Sequence, residues 1–367
     1  MSELIERILV WFECIDPGAY RRVKGLRIVT AYGSALALGT VHDITVLDPG
    51  HASIAMLAGS FALWASVFEA RGTRYGSTRD LVMLCSCAAV GALFFAMLAP
   101  LLSLPLVRQY GLGGGEWILL PSVFLTGFLR QYGVLGTGLG LQLYIGELLA
   151  YGAHLTPIDV REIGVALAVA IVASVVPRLL TGPNEMPAAA ASPSHSSCRA
   201  SSLSAECIIG LQASATAVII IVLNSVFGLI QPVWAITAAV CGTTVTATGT
   251  VARMRRRIIG TLVGVPLGLA CLPIATHAPL IVCGAVALAL IVYTVTLSDR
   301  YDIACAAFSF VLVITLAATG EHSVSVLVAR AWETLLGGMI ALVMAVYVIP
   351  LRPVRESEAA ATGRTLH

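Results

Sequence analysis

Apolar segments of a length suited to membrane helices follow one another along almost the whole chain of 367 residues. Only 11% of the residues are charged and 58% are hydrophobic, whereas about a quarter of the residues of a soluble domain are charged. So few charges cannot cover a globular surface, and the sequence therefore predicts an all-α polytopic membrane protein. We place its spans at about 26–46, 50–70, 80–104, 116–130, 132–153, 162–180, 207–229, 231–251, 258–275, 278–297, 302–319 and 323–350.

Basic residues lie at alternate ends of these spans. With the N-terminus in the cytoplasm, the 22 lysines and arginines fall in stretches that face the cytoplasm, apart from Arg108, Arg161 and Arg330. Cytoplasmic loops of membrane proteins carry an excess of Lys and Arg. The pattern therefore predicts about twelve transmembrane helices with both termini in the cytoplasm.

A block of four arginines, Arg253, Arg255, Arg256 and Arg257, separates the spans at 231–251 and 258–275. Arginine side chains cross a bilayer only at a high cost in free energy. We therefore expect the block to form the cytoplasmic turn of a helical hairpin, in contact with lipid phosphates. Arg253 and Arg257 are also candidates for an inner vestibule, because basic side chains raise the local concentration of organic anions.

The chain divides into two halves of six spans each. Residues 181–205 are rich in Pro, Ala and Ser, which predicts a flexible cytoplasmic linker. A constant shift pairs Pro49 with Pro232 and Arg74 with Arg257, which indicates a repeat, and an even number of spans per half makes that repeat parallel. The predicted regions are an N-terminal segment with an interfacial helix (1–24), the first half (25–180), the linker (181–205), the second half (206–352) and a cytoplasmic tail (353–367).

Polar residues within the second half are candidate contacts of a solute. Thr243 and Thr246 lie in a Gly- and Thr-rich span, where their hydroxyls serve close helix packing or line a solute path. Arg330 and Glu333 are three residues apart on the last span and share a face, so they form an ion pair or contact an anionic substrate. Trp234 is an interfacial anchor or a stacking surface for an aromatic substrate.

One acidic residue of the first half, Glu147, lies inside the fifth span. A carboxyl buried in a membrane favours its protonated form, which suits a residue that couples transport to protons. The alternatives are a hydrogen bond without a role in transport, or a pair with Arg330 or Arg161.

Signatures of catalysis do not occur in the sequence. It contains no nucleotide-binding G-x-x-x-x-G-K-[ST] loop, no zinc-ligand spacing and no Ser/His/Asp arrangement. We therefore expect no enzyme activity, no catalytic residue, no metal and no cofactor. The basic residues lie at membrane borders, so nucleic-acid binding is not expected either.

Three motifs of the second half resemble the fusaric-acid-resistance (FUSC) family of membrane proteins. They are PVWAITAAV from Pro232, RMRRRIIGTLVG from Arg253 and ARAWETLLGGMIALVMAVYVIP from Ala329, and the likeness extends over residues 207–352. The family includes aromatic-acid exporters and is distantly similar to plant aluminium-activated malate transporters.

The resemblance implies a protein of the bacterial inner membrane that exports organic anions and contributes to resistance. The expected substrates are aromatic or hydrophobic carboxylic acids, and the expected driving force is the proton gradient. Beside the anion and the lipid bilayer, a homodimer and an efflux adaptor are the candidate partners. The alternatives are a passive organic-anion channel formed by a dimer and a membrane scaffold that transports nothing.

Overall fold

A computed structural model of the protein describes residues 20–46, 53–69, 73–102, 115–181, 205–230, 232–242, 247–297, 300–318 and 324–348. These residues form helices and short connections, with no β-strand among them. The all-α prediction is therefore confirmed for this part of the chain. The interfacial helix, the linker and the cytoplasmic tail lie almost wholly outside the described residues and stay predictions.

The α-helices follow one another in the order of the predicted spans. The first half contains α1 (Tyr20–Val46), α2 (Ile54–Phe68), α3 (Arg74–Leu102), α4 (Leu120–Phe128), α5 (Gly133–Gly152) and α6 (Val160–Leu180). The second half contains α7 (Ala205–Phe227), α8 (Pro232–Gly242), α9 (Ala247–His277), α10 (Pro279–Thr296), α11 (Tyr301–Ala318) and α12 (Val324–Val343). Short 3-10 helices adjoin them at Gly115–Leu119, Leu129–Tyr132 and Pro157–Asp159, and a π-helical turn follows at Met344–Val348.

Six segments of the described chain are long and apolar enough to cross a membrane. They are Arg74–Leu101, Gly115–Gly152, Pro157–Leu180, Ala205–Phe227, Gly249–Ile274 and Ala331–Val348. Shorter apolar helices lie at Ile54–Phe68, Pro232–Gly242, Leu280–Thr296 and Tyr301–Ala317. The chain is a multi-pass membrane protein, and the number of twelve crossings stays a prediction.

The segment Gly115–Gly152 turns back on itself rather than running straight. Residues 115–132 combine α4 with a 3-10 helix on each side. Since a 3-10 helix rises about 2.0 Å per residue and an α-helix about 1.5 Å, these residues extend about 30 Å, close to the thickness of the hydrocarbon core. Gly133, with a φ of 76°, then reverses the chain into α5, a conformation that glycine adopts readily.

The arginine block does not form a turn, and that prediction is wrong. The described part of the predicted span at 231–251 belongs to two helices, since α8 ends at Gly242 and α9 begins at Ala247. The block therefore lies inside α9, after its first turn. Arginine is a good helix former, and Met254 within the block is 1% exposed and belongs to the core. Charge alone located the turn incorrectly, because it took no account of this apolar face.

Glycines allow the closest helix crossings. A Cβ atom on Gly146 of α5 would lie 1.9 Å from the carbonyl oxygen of Ala88 on α3, and one on Gly127 of α4 would lie 2.3 Å from the main-chain nitrogen of Gly210 on α7. Because glycine has no side chain, backbones can approach closely at such points, as membrane helices commonly do.

The helices pack in matching pairs in the two halves. In the first half α1 packs on α2, α3 on α5, and α6 on both α2 and α3. In the second half α7 packs on α8, α9 on α11, and α12 on both α8 and α9. The halves meet where α4 packs on α7 and where α10 packs on α1. Each of these pairs thus has a counterpart six helices further along the chain.

Basic residues gather at one end of the bundle, which we call the basic end and define by Arg27, Arg178, Arg253 and Arg257. Arg27 near the start of α1 and Arg178 near the end of α6 bind the same carboxylate. Near the start of α9, Arg253 contacts the first residue of α11. The alternation of helix ends expected from the sequence is consistent with these contacts.

Candidate functional site

Arg253 and Arg257 lie one helical turn apart on α9. Residues four apart on an α-helix share a face, and here the orientation of that face is set by Met254. Met254 packs against Gly242 at the end of α8, where a Cβ atom would lie 1.8 Å from its methyl carbon. This packing holds α9 in one rotation, with Arg257 half-buried and Arg253 exposed one turn before it.

Tyr301, the first residue of α11, lies beside these arginines. The guanidinium carbon of Arg253 is 4.7 Å from the centre of the Tyr301 ring, within the range of a cation–π contact. The Tyr301 side chain also interacts with Arg257. Helices α9 and α11 approach closely here, because a Cβ atom on Gly264 would lie 2.2 Å from the carbonyl oxygen of Ala306. We call Arg253, Arg257 and Tyr301 the arginine site.

The arginine site has no acidic counterpart in the described part of the chain. The ion pairs found there involve other residues, namely Arg27–Glu69, Arg178–Glu69, Arg79–Asp80 and Arg300–Asp302. Arginines in membrane segments usually pair with an acid, snorkel to the interface or bind an anion. The positive charge of Arg253 and Arg257 is therefore available to an anionic ligand.

The first half adds a third arginine to these surroundings. Arg130, in the 3-10 helix after α4, lies close enough to Arg253 to interact with it electrostatically, and Cys241 of α8 lies near both. Like charges in proximity repel each other, and an anion bound between them would reduce this repulsion. The first half thus adds a positive charge next to the arginine site.

Three polar side chains follow one face of α5, and we call Tyr144, Glu147 and Tyr151 the polar stripe. Their spacing of three and four residues is that of neighbours on a helix surface. Tyr144 is 0% exposed, and its hydroxyl lies 2.7 Å from the Thr237 hydroxyl of α8. Because the Thr237 hydroxyl donates to the carbonyl of Val233, its single proton is used and Tyr144 is the donor between them.

Glu147 lies at the middle of the polar stripe and is buried, as predicted. The Ser122 hydroxyl of α4 lies 2.5 Å from its Oε2 atom and 2.8 Å from the carbonyl oxygen of Leu119. In the described part of the chain this neutral group is its hydrogen-bond partner, and the alternative pair with Arg161 is not formed, since Arg161 is exposed. A buried carboxyl with a hydroxyl partner can hold a proton.

A second buried carboxyl, Glu116, lies at the end of the bundle opposite to the basic end. Its Oε1 atom accepts hydrogen bonds from the Tyr151 hydroxyl at 2.8 Å and from the Asn224 side-chain amide at 3.2 Å. Asn224 belongs to α7, so this contact joins the two halves. Sequence analysis missed Glu116 because it stands at the border of a predicted span, where acidic residues are usually solvated.

Most of the second half is similar to a known protein family. Residues 216–344 match the family model described as fusaric acid resistance protein-like. We call residues 216–344 the fusaric acid resistance protein-like domain, after the family that they resemble. The match confirms the resemblance seen in the sequence, and it includes the whole arginine site and Thr237. A comparison with curated proteins and another with solved structures gave no match.

Two of the predicted substrate contacts can be located within the fusaric acid resistance protein-like domain. Trp234 on α8 is partly buried against the core, and Glu333 on the adjacent α12 is 0% exposed. Thr243 and Thr246 lie outside the described residues, as does the side chain of Arg330 on α12. Their roles stay predictions.

A buried charge cluster lies outside the fusaric acid resistance protein-like domain, in the first half. Glu69, just after α2, pairs with Arg27 at 3.0 Å and with Arg178 at 2.9 Å. The Lys24 ammonium donates to the main-chain carbonyl of Glu69 at 3.0 Å. Sequence analysis missed this cluster because its members come from α1, α2 and α6. The available signal was that each stands at a predicted cytoplasmic end.

Proposed function

We propose that this protein is a transporter that exports organic anions from the cytoplasm across the bacterial inner membrane. The observation that carries the proposal is the arginine site. Arg253 and Arg257 stand side by side in a fusaric acid resistance protein-like domain, and no carboxylate of the described residues neutralises them. Such a site favours anions over cations and neutral solutes.

The chemistry of the arginine site favours carboxylates that carry an aromatic or hydrophobic group. A guanidinium group can form two parallel hydrogen bonds with a carboxylate. The Tyr301 ring adds an apolar surface next to that grip, and Tyr293 of α10 lies close to Tyr301. Aromatic rings pack well against such surfaces. Along the remaining path, Arg330, Glu333, Trp234, Thr243 and Thr246 are proposed as further substrate contacts.

The proposed mechanism uses the two halves as two parallel six-helix repeats that move against each other. The matching helix pairs in the two halves support this arrangement. The basic end would face the cytoplasm, with both termini, because positive residues accumulate on that side of membrane proteins. Anions would collect at Arg253 and Arg257, and Glu147 would couple their export to the proton gradient. A homodimer and an efflux adaptor remain proposed partners.

Transport assays in proteoliposomes test the proposal. The probes are benzoate, cinnamate, terephthalate and malate, each corrected for leakage into protein-free vesicles. An imposed pH step should drive accumulation of at least one aromatic acid against its gradient. Arg253→Gln and Arg257→Gln should each lower the rate at least about tenfold, because each removes a charged hydrogen-bond donor.

Arg256→Gln is the matched control, because it removes the same charge from the exposed side of the same helical turn. It should keep the rate within about twofold, as expected for a surface charge. Flux that only follows the membrane voltage would instead identify a channel. Absence of flux for all four acids, or equal losses in Arg256→Gln and Arg257→Gln, would contradict the proposal.

A further inference from the structure

We propose that Glu116 and Tyr151 give protons access to Glu147 from the end of the bundle opposite to the basic end. This inference rests on the proposed function and adds to it a route for the coupling ion. Two carboxyls on neighbouring helical segments are buried. Glu116 is 6% exposed and Glu147 is 1% exposed. Ionisable residues inside membrane bundles commonly mark proton relays.

Both carboxyls are held by neutral groups. Glu116 accepts from the Tyr151 hydroxyl and the Asn224 amide, and Glu147 shares a hydrogen bond with the Ser122 hydroxyl. In the described part of the chain neither carboxyl forms an ion pair with an arginine or a lysine. A nearby cation would hold a carboxyl in its charged form, whereas a neutral donor leaves it able to exchange a proton.

Tyr151 is bonded to Glu116 and lies one turn of α5 away from Glu147. It follows Glu147 by four residues on α5, so the two side chains are neighbours on one face, about 6 Å apart between their Cβ atoms. Its hydroxyl is already bonded to Glu116 at 2.8 Å. Its ring is fixed against Phe95 in an edge-to-face contact, with the ring centres 5.9 Å apart. The phenol is therefore held in place with its oxygen next to Glu116.

The proton transfer leaves the tyrosine unchanged. The proton on the carboxylic acid of Glu116 passes to the Tyr151 oxygen, while the hydroxyl proton of Tyr151 passes to a water molecule, which gives one of its own protons to the carboxylate of Glu147. Glu116 ends as a carboxylate and Glu147 as a carboxylic acid. Glu116 then takes a new proton from the aqueous phase at its end of the bundle.

The other polar neighbours of Glu147 are neutral side chains as well. From α3 the thiol of Cys87 is close enough to interact with it electrostatically, and that thiol donates to the carbonyl of Leu139. On α5 itself, Tyr144 interacts electrostatically with both Glu147 and Arg257. Glu147 and Arg257 are thus both within electrostatic range of Tyr144, through which a proton at Glu147 can influence an anion at the arginine site.

Two measurements on the same proteoliposomes test this route. The first is proton flux, followed with a pH-sensitive dye trapped inside, when an organic anion from the set above is added. The second is the downhill exchange of that anion without a pH step. Tyr151→Phe keeps the ring and removes the hydroxyl, and Glu116→Gln keeps acceptors for Tyr151 and Asn224. Both should lower anion-dependent proton flux at least about tenfold and keep downhill exchange within about twofold.

Tyr32→Phe is the matched control. It also removes a buried tyrosine hydroxyl that joins the halves, bonded to Thr315 at 3.0 Å, but it lies away from the polar stripe. It should leave both measurements within about twofold. Unchanged proton flux in Tyr151→Phe would overturn the route. If the wild type moves anions without protons, the route fails while the proposed transport stands; if it moves no anion, the proposed function fails first.

Discussion

Arg253 holds its guanidinium carbon 4.7 Å from the centre of the Tyr301 ring, across the crossing of α9 and α11. The contact depends on Gly264, which lets the two backbones approach, and on Met254, which sets the rotation of α9. A stacked guanidinium keeps its hydrogen-bond donors free at the edge of its plane. The ring therefore orients Arg253 without using the donors that a carboxylate would need.

We expect substitutions of Tyr301 to distinguish the role of its ring from the role of its hydroxyl. Tyr301→Phe keeps the surface under Arg253, whereas Tyr301→Leu removes the cation–π contact. That contact contributes about 0.5–1 kcal/mol at exposed sites, so Tyr301→Leu should raise the KM for anion uptake roughly two- to fivefold above that of Tyr301→Phe. The measurement is the concentration dependence of uptake in proteoliposomes. Tyr75→Leu, at an exposed tyrosine of α3, is the control, and an equal KM in both Tyr301 variants would exclude this role for the ring.

Removing the carboxylate of Glu69 should destabilise the first half strongly. Glu69→Gln would leave the buried side chains of Arg27 and Arg178 without their shared counter-charge. Loss of one partner of a buried ion pair costs about 3–5 kcal/mol of unfolding free energy. The check is the melting temperature of the detergent-solubilised protein. Asp302→Asn breaks a pair whose arginine is 65% exposed, so it should change the melting temperature little. Similar melting temperatures for the two variants would mean that the Glu69 cluster does not stabilise the fold.

The order of the helices could be predicted from the sequence because hydropathy is a local property. Each predicted span overlaps at least one helix, although the span at 231–251 is shared by α8 and the start of α9, and the short span at 116–130 has its counterpart in α4 with its flanking 3-10 helices. The charge pattern also predicted that Arg253 and Arg257 lie close together, since four residues make about one helical turn. What it could not predict was that the helix continues through them, which follows from the burial of Met254.

The contacts between distant helices could not be predicted from the sequence. Glu69 stood at the border of a predicted span, and nothing local connected it with Arg178, more than a hundred residues away. Glu116 and Tyr151 are likewise far apart in the sequence, and the reversal of the chain at Gly133 brings them together. Such pairs depend on which helices become neighbours, and this is decided by packing rather than by hydropathy.

Adding a methyl group at the α3–α5 crossing should separate these helices. In Gly146→Ala the new Cβ atom would lie 1.9 Å from the carbonyl oxygen of Ala88, so the backbones must shift. Overpacking of this kind costs about 1–3 kcal/mol of unfolding free energy. Gly164→Ala is the matched control, because it adds the same methyl group to α6 with no atom within 4 Å, and it should stabilise slightly. Thermal unfolding in detergent distinguishes them, and a Gly146→Ala protein as stable as Gly164→Ala would show that this crossing tolerates a wider spacing.

The orientation of the bundle can be tested with a membrane-impermeant thiol reagent on intact and permeabilised cells. Arg255, in the block on α9, is exposed near the basic end, and Ala153, just after α5, is exposed near Glu116 at the opposite end. Because basic residues are retained in the cytoplasm, Arg255→Cys should react only after permeabilisation. Ala153→Cys should react in intact cells, with the native cysteines as the baseline for both. Reaction of Arg255→Cys in intact cells would place the arginine site on the outside, where it could not collect anions from the cytoplasm. Export would then be excluded, and uptake would be the direction that the same site serves.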